Sequence, residues 1–137
     1  MGQMAQGVEL FSRNSAQDTF MSKEKTVIFA FRGNPMCFIH VLLNGIDLHE
    51  KGREGKIVIE GDAVALIPEM SKPGHLLSTP YRKAKELGLI IAVCKACSMK
   101  LGVADAVEKE GLPLFGDMAN HPAMSTFLDD GYQIITF

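Results

Sequence analysis

Short, unbroken runs of apolar residues recur along this chain between longer segments with a helical pattern. Residues 89–93 form the clearest run, and residues 26–31 form a second that is rich in β-branched and aromatic side chains. Neither run alternates with polar residues, as a strand with one face in solvent would. Such continuous runs are typical of strands buried on both faces of a parallel sheet, whose crossovers are usually helices. The alternation therefore predicts βαβ units and an α/β fold.

The other predicted elements follow from the same periodicities and from residues that start or stop helices. Pro35 and Gly52 bound the first helix, and Thr79, as N-cap, and Gly88 bound a later one. The predicted strands are 26–31, 56–60, 89–93, 112–115 and 132–137. The predicted helices are 36–51, 63–67, 80–87, 98–101, 105–110 and 121–130, with a loop at 68–77. Five strands separated by helices predict a three-layer α/β/α domain with a five-stranded, mostly parallel sheet.

The composition argues against a disordered chain and against a nucleic-acid-binding protein. The chain has 137 residues, of which 47% are hydrophobic, and a formal net charge of −2. This length suits one domain with a buried core, and the low charge argues against wholesale disorder. The chain lacks the basic surface that neutralises phosphates, so no nucleic-acid partner is expected.

Location is inferred from hydropathy and from the cysteines. No apolar run approaches the roughly 20 residues of a membrane-spanning helix, so no membrane association is expected. The chain shows no signal-peptide pattern, and its three cysteines are an odd count for a disulfide framework. We therefore expect a cytoplasmic protein with reduced thiols.

The first 25 residues differ from the rest of the chain. They are rich in Gln, Ser, Asn and Gly, and their only apolar cluster is Val8, Leu10 and Phe11. Terminal segments of this kind are usually mobile unless they dock. We predict a weakly ordered tail at 1–25 and a single α/β domain at 26–137.

Cys94 is the first candidate for a reactive residue. In open parallel sheets, ligands and chemistry collect beyond the carboxyl ends of the strands, and Cys94 follows the strand at 89–93 directly. A sulfur at the start of a helix lies near free backbone N–H groups, which favour a thiolate and lower the thiol pKa. The alternative is a small buried side chain that packs at the end of the strand.

Cys97 completes a C-x-x-C motif with Cys94. This motif is compatible with a redox dithiol, with half of a metal site, or with a nucleophile and its resolving partner. A zinc site needs four ligands, and the chain has no second C-x-x-C, although Cys37, His40 and His121 offer ligand atoms. We expect no metal. A purely structural role for Cys97 remains open.

Two other segments at the same edge contribute candidate ligand-binding residues, which are Gly33, Asn34, Cys37, Asp117 and His121. His121 is a candidate proton shuttle or thiolate partner. For His121 and Asp117 the alternative is helix capping and solvation of a loop. Cys37 approaches Cys94 only if the first and third strands are neighbours, and otherwise packs beneath the turn at 33–35.

Glycine-rich phosphate-binding motifs and the G-x-S-x-G motif are absent from the sequence, and no cofactor is expected.

In residues 89–103, Cys94 lies between an apolar run and a helix that leads to Gly102-Val103. This order of elements resembles a segment of a known protein family. It is the strand–Cys–helix–Gly-Val/Ile segment of the DsrE-like (DsrE/DsrF/TusD-type) sulfur-relay family. The segments 56–64 and 131–137 add support, so the resemblance spans about residues 25–137. It implies a five-stranded parallel sheet in a three-layer fold, homo- or hetero-oligomers, and a cysteine that carries sulfur as a persulfide. By its position in the motif, that cysteine is Cys94.

The leading hypothesis is thus a persulfide carrier or sulfurtransferase-like protein that exchanges sulfur with donor and acceptor proteins. Two alternatives stay open: a non-catalytic oligomeric protein that binds a small ligand at the sheet edge, and a dithiol redox protein that uses Cys94 and Cys97. The strongly apolar first helix and the eight methionines also predict a homo-oligomer.

Overall fold

The computed structural model describes residues 24–137 and contains a five-stranded sheet in which all neighbouring strands are parallel. The strands are β1 (Lys25–Ala30), β2 (Glu54–Ile59), β3 (Ile90–Cys94), β4 (Leu114–Phe115) and β5 (Tyr132–Thr136). Their order across the sheet is β4-β3-β2-β1-β5. The predicted α/β class and parallel sheet are confirmed. Of the predicted tail, residues 1–23 lie outside the described residues, whereas Lys25 is the first residue of β1.

Six α-helices connect or follow the strands in this part of the chain. They are α1 (Pro35–Glu50), α2 (Leu66–Met70), α3 (Ser78–Glu86), α4 (Lys95–Lys100), α5 (Ala104–Lys109) and α6 (Met124–Asp129), and a 3-10 helix, Gly61–Ala65, precedes α2. None of the helices within 24–137 is long and apolar enough to cross a membrane.

Local chemistry accounts for the two best-bounded helices. The Asn34 side chain accepts a hydrogen bond from the Met36 N–H at 2.7 Å, and Pro35 occupies the first position of α1. Gly88 follows α3 with a φ of +69°, a conformation that favours glycine and ends the helix. Leu77, however, is the N-cap of α3, so the prediction of Thr79 as N-cap was wrong.

Two further helix predictions need correction. The helix predicted to end at Ile67 continues to Met70 as α2, and Pro68 lies inside it. Proline is tolerated there because the N–H groups of a first turn have no acceptor within the helix. The last helix begins at Met124, so His121 lies before the helix, in a loop.

Helices cover both faces of the sheet, as the three-layer prediction requires. On one face, Ile28, Ile57 and Ile59 pack in the larger core cluster with residues of α1 to α3 and α5. On the other face, Val27, Phe29, Val58 and Ala92 pack with Phe127 of α6. Successive residues of β1 thus enter different cores, because side chains alternate along a strand. This arrangement leaves the carboxyl ends of β2, β3 and β4 together at one edge.

Candidate functional site

Cys94 ends β3, and its side chain caps the helix that follows. Its Sγ accepts a hydrogen bond from the Cys97 N–H at 3.3 Å, and the residue has 0% of its surface exposed. The Cys94 carbonyl accepts a hydrogen bond from the buried Ser98 hydroxyl at 2.8 Å. The sulfur is therefore held rigidly beneath the surface, at the junction of the strand and the helix.

Burial changes the expected ionisation of this thiol. It raises the pKa of Cys94 to about 12, and the neighbouring Cys97 side chain adds to the increase. The Cys97 N–H lowers this pKa but does not compensate for burial. The lowered pKa predicted from the helix N-terminus was therefore wrong, because burial raises the pKa of Cys94 above the ordinary value of a thiol.

Cys97 lies one helical turn further along and is partly exposed. Its Sγ accepts a hydrogen bond from the Gly61 N–H at 3.3 Å, at the start of the 3-10 helix after β2. Cys97 also lines an open cavity of about 180 Å³ together with Asp62 and Lys100. Of the two thiols in the motif, Cys97 is the one that solvent reaches.

The imidazole of His121 lies close to the sulfurs of both Cys94 and Cys97. Its Nδ1 lies 3.2 Å from Cys94 Sγ and 3.8 Å from Cys97 Sγ. The predicted thiolate partner of Cys94 is therefore in hydrogen-bonding contact with it, and neutral imidazole can accept the thiol proton. The His121 side chain is 41% exposed, whereas Cys94 is fully buried.

A tight turn positions His121. Met118 and His121 exchange two backbone hydrogen bonds of 2.9 Å, and the residues between them, Ala119 and Asn120, have φ values of +50° and +68°. The Asn120 carbonyl accepts the Ala96 N–H at 2.9 Å, which ties the turn to the first residues of α4. The loop and the cysteine motif are thus joined through the backbone as well as through side chains.

Asp117 and Gly116 hold the same loop. The Asp117 carboxylate accepts hydrogen bonds from the Ala123 N–H at 2.7 Å and from the Thr126 hydroxyl, and these bonds hold its pKa below the usual range. A Cβ at Gly116 would lie 2.2 Å from the Asn120 carbonyl carbon, so only glycine fits there. Both residues thus shape the loop, and both Asp117 oxygens bond to the beginning of α6.

Glu60 lies at the carboxyl edge that the sequence predicts as functional, although it was not among the candidate site residues. It follows β2, its side chain is 9% exposed, and its Oε1 lies 4.0 Å from His121 Nδ1. Burial raises the pKa of Glu60 to about 7. Its position directly after the apolar residues 57–59, at the carboxyl end of a buried strand, was the available signal.

Glu60 and His121 also border a cavity of about 400 Å³. Its other walls are largely apolar and come from the loop and from α6, as well as from the residue after β1; they are Phe31, Met118, Pro122, Ala123, Met124 and Ser125. A reactant in this cavity would meet the imidazole before it met Cys94.

The remaining predicted residues lie in or beside the turn after β1. Gly33 approaches the 3-10 helix so closely that a Cβ would lie 2.9 Å from the Asp62 carbonyl oxygen, and Asn34 caps α1. Cys37 lies in the first turn of α1, and β2 separates β1 from β3, so the neighbouring-strand condition for its approach to Cys94 is not met. The group of four potential metal ligands found within 24–137 contains Glu60, Cys94, Cys97 and His121 but not Cys37.

Comparisons with known proteins bear on the fold and the family. No protein-family model matches the chain. A structure described as a conserved protein of unknown function, BT1422 from Bacteroides thetaiotaomicron, superposes with a TM-score of 0.66 over 91% of this chain and 100% of its own, at 16% identity. That likeness shows a shared fold.

Two archaeal proteins are similar in sequence. An uncharacterized protein of Archaeoglobus fulgidus is 37% identical over 62 residues, which are 45% of this chain and 100% of the relative. The uncharacterized protein MJ0733 of Methanocaldococcus jannaschii is 34% identical over 102 residues, which are 74% of this chain and 81% of the relative. The chain therefore belongs to the same family as MJ0733.

Proposed function

We propose that this protein is a DsrE-like persulfide carrier in which Cys94 accepts sulfur and His121 takes up the thiol proton. The observation that carries the proposal is the 3.2 Å contact between Cys94 Sγ and His121 Nδ1. A nucleophilic cysteine needs an adjacent base or a lowered pKa. Because burial raises the pKa of Cys94, this cysteine needs the adjacent base.

The proposed transfer is a thiol–persulfide exchange. Cys94 passes its proton to His121, and the resulting thiolate attacks the outer sulfur of a donor persulfide. A Cys94–sulfur bond forms as the donor's sulfur–sulfur bond breaks, and the donor leaves as a thiolate that takes the proton from His121. The products are a Cys94 persulfide and a donor thiol, with no external oxidant or reductant. An acceptor thiolate would remove the outer sulfur by the same reaction.

Access to Cys94 depends on His121 and Cys97 in this proposal. The imidazole is 41% exposed and borders the 400 Å³ cavity, so rotation of His121 would open a path to the buried sulfur. The smaller cavity beside Cys97 is lined by Lys100, whose positive charge would favour an anionic sulfur donor. Cys97 also donates its N–H to Cys94 Sγ and would stabilise the thiolate.

Peptide-mapped mass spectrometry tests this assignment directly. Trypsin cuts after Lys95, so Cys94 and Cys97 fall on different peptides, 86–95 and 96–100, and Cys37 falls on a third, 33–51. Reduced, chelator-treated protein is incubated with a persulfide donor, trapped by alkylation and digested. The expected result is one added sulfur on peptide 86–95, which is lost in Cys94→Ser and retained in the matched control Cys37→Ser.

Other labelling patterns contradict the assignment. Sulfur on peptide 96–100 alone would make Cys97 the acceptor. No modification of either peptide would favour a protein that binds a small ligand at the sheet edge without transferring sulfur.

A dithiol redox protein is the second candidate, and one distance favours it. The sulfur atoms of Cys94 and Cys97 belong to a group whose ligand atoms all lie within 4.8 Å of one another. A disulfide requires about 2 Å between sulfurs, so the two sulfurs would have to approach by up to about 3 Å, through a movement of α4. Peptides 86–95 and 96–100 joined by a disulfide after mild oxidation, in protein that takes up no sulfur from the donor, would favour this function.

We also propose that the protein self-associates in the cytoplasm and exchanges sulfur with partner proteins. Large apolar side chains are exposed on α1 and α4, with Met36 70% and Met99 62% accessible, and contact with a second copy of the chain would remove them from water. Cys37, Cys94 and Cys97 are free thiols, which fits a reducing compartment. A single monomeric species in sedimentation velocity at micromolar concentration would contradict the self-association.

A further inference from the structure

Four side chains of different chemistry converge at the carboxyl edge of the sheet. Glu60, Cys94, Cys97 and His121 each offer one ligand atom, and these four atoms lie within 4.8 Å of one another. The residues come from the ends of β2 and β3, the first turn of α4 and the loop before α6. Two sulfurs, one imidazole nitrogen and one carboxylate form a donor set that suits Zn²⁺ and similar divalent transition metals.

The spacing of the donors fits tetrahedral coordination. Zinc–sulfur and zinc–nitrogen bonds of about 2.3 and 2.0 Å place the ligand atoms of a tetrahedron about 3.3–3.8 Å apart. His121 Nδ1 lies 3.2 Å from Cys94 Sγ, 3.8 Å from Cys97 Sγ and 4.0 Å from Glu60 Oε1. The two nitrogen–sulfur distances lie within a few tenths of an ångström of the tetrahedral values, and Glu60 Oε1 would move about 0.7 Å closer to His121 to reach them.

Glu60 supplies an independent indication of a cation-binding site. Its side chain is more than nine-tenths buried, and among residues 24–137 no donor lies within hydrogen-bonding distance of its carboxylate. The nearest basic group in that part of the chain is His121, at 4.0 Å. Buried carboxylates are normally paired or bound to a metal, and a cation beside His121 would provide that partner.

Backbone N–H groups donate to both sulfurs. Cys94 Sγ accepts the Cys97 N–H and Cys97 Sγ accepts the Gly61 N–H, each at 3.3 Å. Such backbone N–H donors stabilise metal-bound thiolates and fix their orientation. The half-exposed imidazole and the 400 Å³ cavity beside it give an ion a route from solvent.

We propose that Glu60, Cys94, Cys97 and His121 bind one divalent transition metal ion, with Zn²⁺ as the first choice. No metal was expected from the sequence, because it contains no second C-x-x-C. The fold supplies the remaining ligands from Glu60 and from His121, which is 24 residues beyond Cys97. The metal would engage the same Cys94 and His121 that the proposed sulfur transfer uses, so a metal-loaded chain would not accept sulfur; the metal site itself does not depend on the transfer.

Cobalt substitution tests the site. Reduced, chelator-stripped full-length protein is titrated with Co²⁺, followed by Zn²⁺, and its absorption spectrum is recorded. We expect one Co²⁺ per chain, the visible bands of tetrahedral cobalt, a near-ultraviolet thiolate-to-cobalt charge-transfer band, and loss of all bands when Zn²⁺ is added. Zinc binding should also release protons from the thiols.

Variants separate the four ligands from nonspecific binding. Cys97→Ser, at a partly exposed position that risks little in folding, should weaken the charge-transfer band and lower the affinity for Co²⁺ by more than about 100-fold, and Glu60→Gln by at least about 10-fold. Cys37→Ser, which removes a thiol outside the group, should leave the spectrum and affinity unchanged. Circular dichroism of each metal-free variant verifies that it is folded.

Two results would contradict the proposed metal site. The first is that wild-type protein shows no thiolate-to-cobalt bands when Co²⁺ is added. The second is that the folded Cys97→Ser variant binds Co²⁺ as tightly as wild type. These results are distinguishable from a failure of the sulfur-transfer proposal, because the titration contains no sulfur donor and the persulfide assay contains a chelator.

Discussion

His121 Nδ1 lies 3.2 Å from Cys94 Sγ, although 27 residues separate the two in the chain. The contact gives a fully buried thiol a proton acceptor that is itself partly exposed. It persists because the Asn120 carbonyl, next to His121, is hydrogen-bonded to the Ala96 N–H, two residues after Cys94. The chemistry of Cys94 is therefore coupled to the conformation of a loop that follows a different strand.

Replacement of His121 should slow sulfur acceptance. His121→Gln keeps a polar side chain but removes the base, so the rate of persulfide formation on peptide 86–95 should fall by about 100-fold or more. The rate is measured by quenching the donor reaction at successive times. His49→Gln, at an exposed position on α1, is the matched control and should react at the wild-type rate. A His121→Gln variant that accepts sulfur as fast as wild type would rule out this role.

Cys97 should react with alkylating agents before Cys94 in the folded protein. Cys97 is partly exposed, whereas Cys94 is fully buried and its pKa is raised to about 12. Alkylation of Cys94 should therefore be slow near pH 7 and should keep accelerating as the pH rises through the alkaline range, because only the thiolate reacts. Timed iodoacetamide labelling, followed by tryptic mapping of peptides 86–95 and 96–100, measures both rates.

Denaturation provides the control for this comparison. In urea the two thiols should alkylate at similar rates, because the difference arises from burial in the folded state. Faster labelling of Cys94 than of Cys97 in native protein would contradict the burial described above.

The parts of the fold that sequence predicted are those set by local patterns. Unbroken apolar runs located β1 and β3, and Asn34-Pro35 located the start of α1. Because parallel strands share a carboxyl edge, the placement of Cys94 at that edge followed from the run before it. Pro68 was misread as a loop signal because its tolerance in a first helical turn depends on where α2 begins.

The arrangement of the site residues could not be predicted in full, because it depends on contacts between distant parts of the chain. The turn that delivers His121 is built on Ala119-Asn120, which lacks the Asn-Gly signature of turns with two positive φ values. Glu60 was placed at the functional edge but was not singled out as a site residue, because acidic residues after strands are usually solvated and its burial arises from long-range packing. The pKa of Cys94 was predicted in the wrong direction because the sequence indicated a helix N-terminus but not the depth of the sulfur.

A substitution in the turn before His121 should increase the stability of the protein. Ala119 has a φ of +50°, a conformation that asparagine tolerates better than alanine. Ala119→Asn should therefore raise the free energy of unfolding by about 0.5 kcal/mol, as measured by urea denaturation. The control, Ala106→Asn in α5, should lower it by a similar amount because asparagine is a weaker helix former. A decrease in stability for Ala119→Asn would show that the strain has been assigned to the wrong residue.

Glu110 should stabilise the fold through a bond network remote from the cysteines. Its Oε1 accepts hydrogen bonds from the buried Tyr81 hydroxyl at 2.7 Å and from Lys85 Nζ at 2.9 Å. Glu110→Gln should lower the free energy of unfolding by about 1–2 kcal/mol near neutral pH, because Tyr81 and Lys85 would then donate to a neutral amide oxygen in place of a charged carboxylate. Glu50→Gln, which breaks an exposed ion pair with Lys83, should change it by less than about 0.5 kcal/mol.

The pH dependence of the Glu110 effect has a defined sign. Burial alone would raise the pKa of Glu110, but the bonds from Lys85 and Tyr81 outweigh it and hold the pKa below the usual range. The stabilisation is thus complete above the unfolded-state pKa of about 4.3 and is lost as the pH falls through the lower folded-state value. Urea denaturation of wild type and Glu110→Gln across this acid range should show their stability difference shrinking. A difference that stays constant or grows toward acid pH would contradict the charged bonding of Glu110, because a protonated carboxyl no longer accepts from Lys85 as an ion.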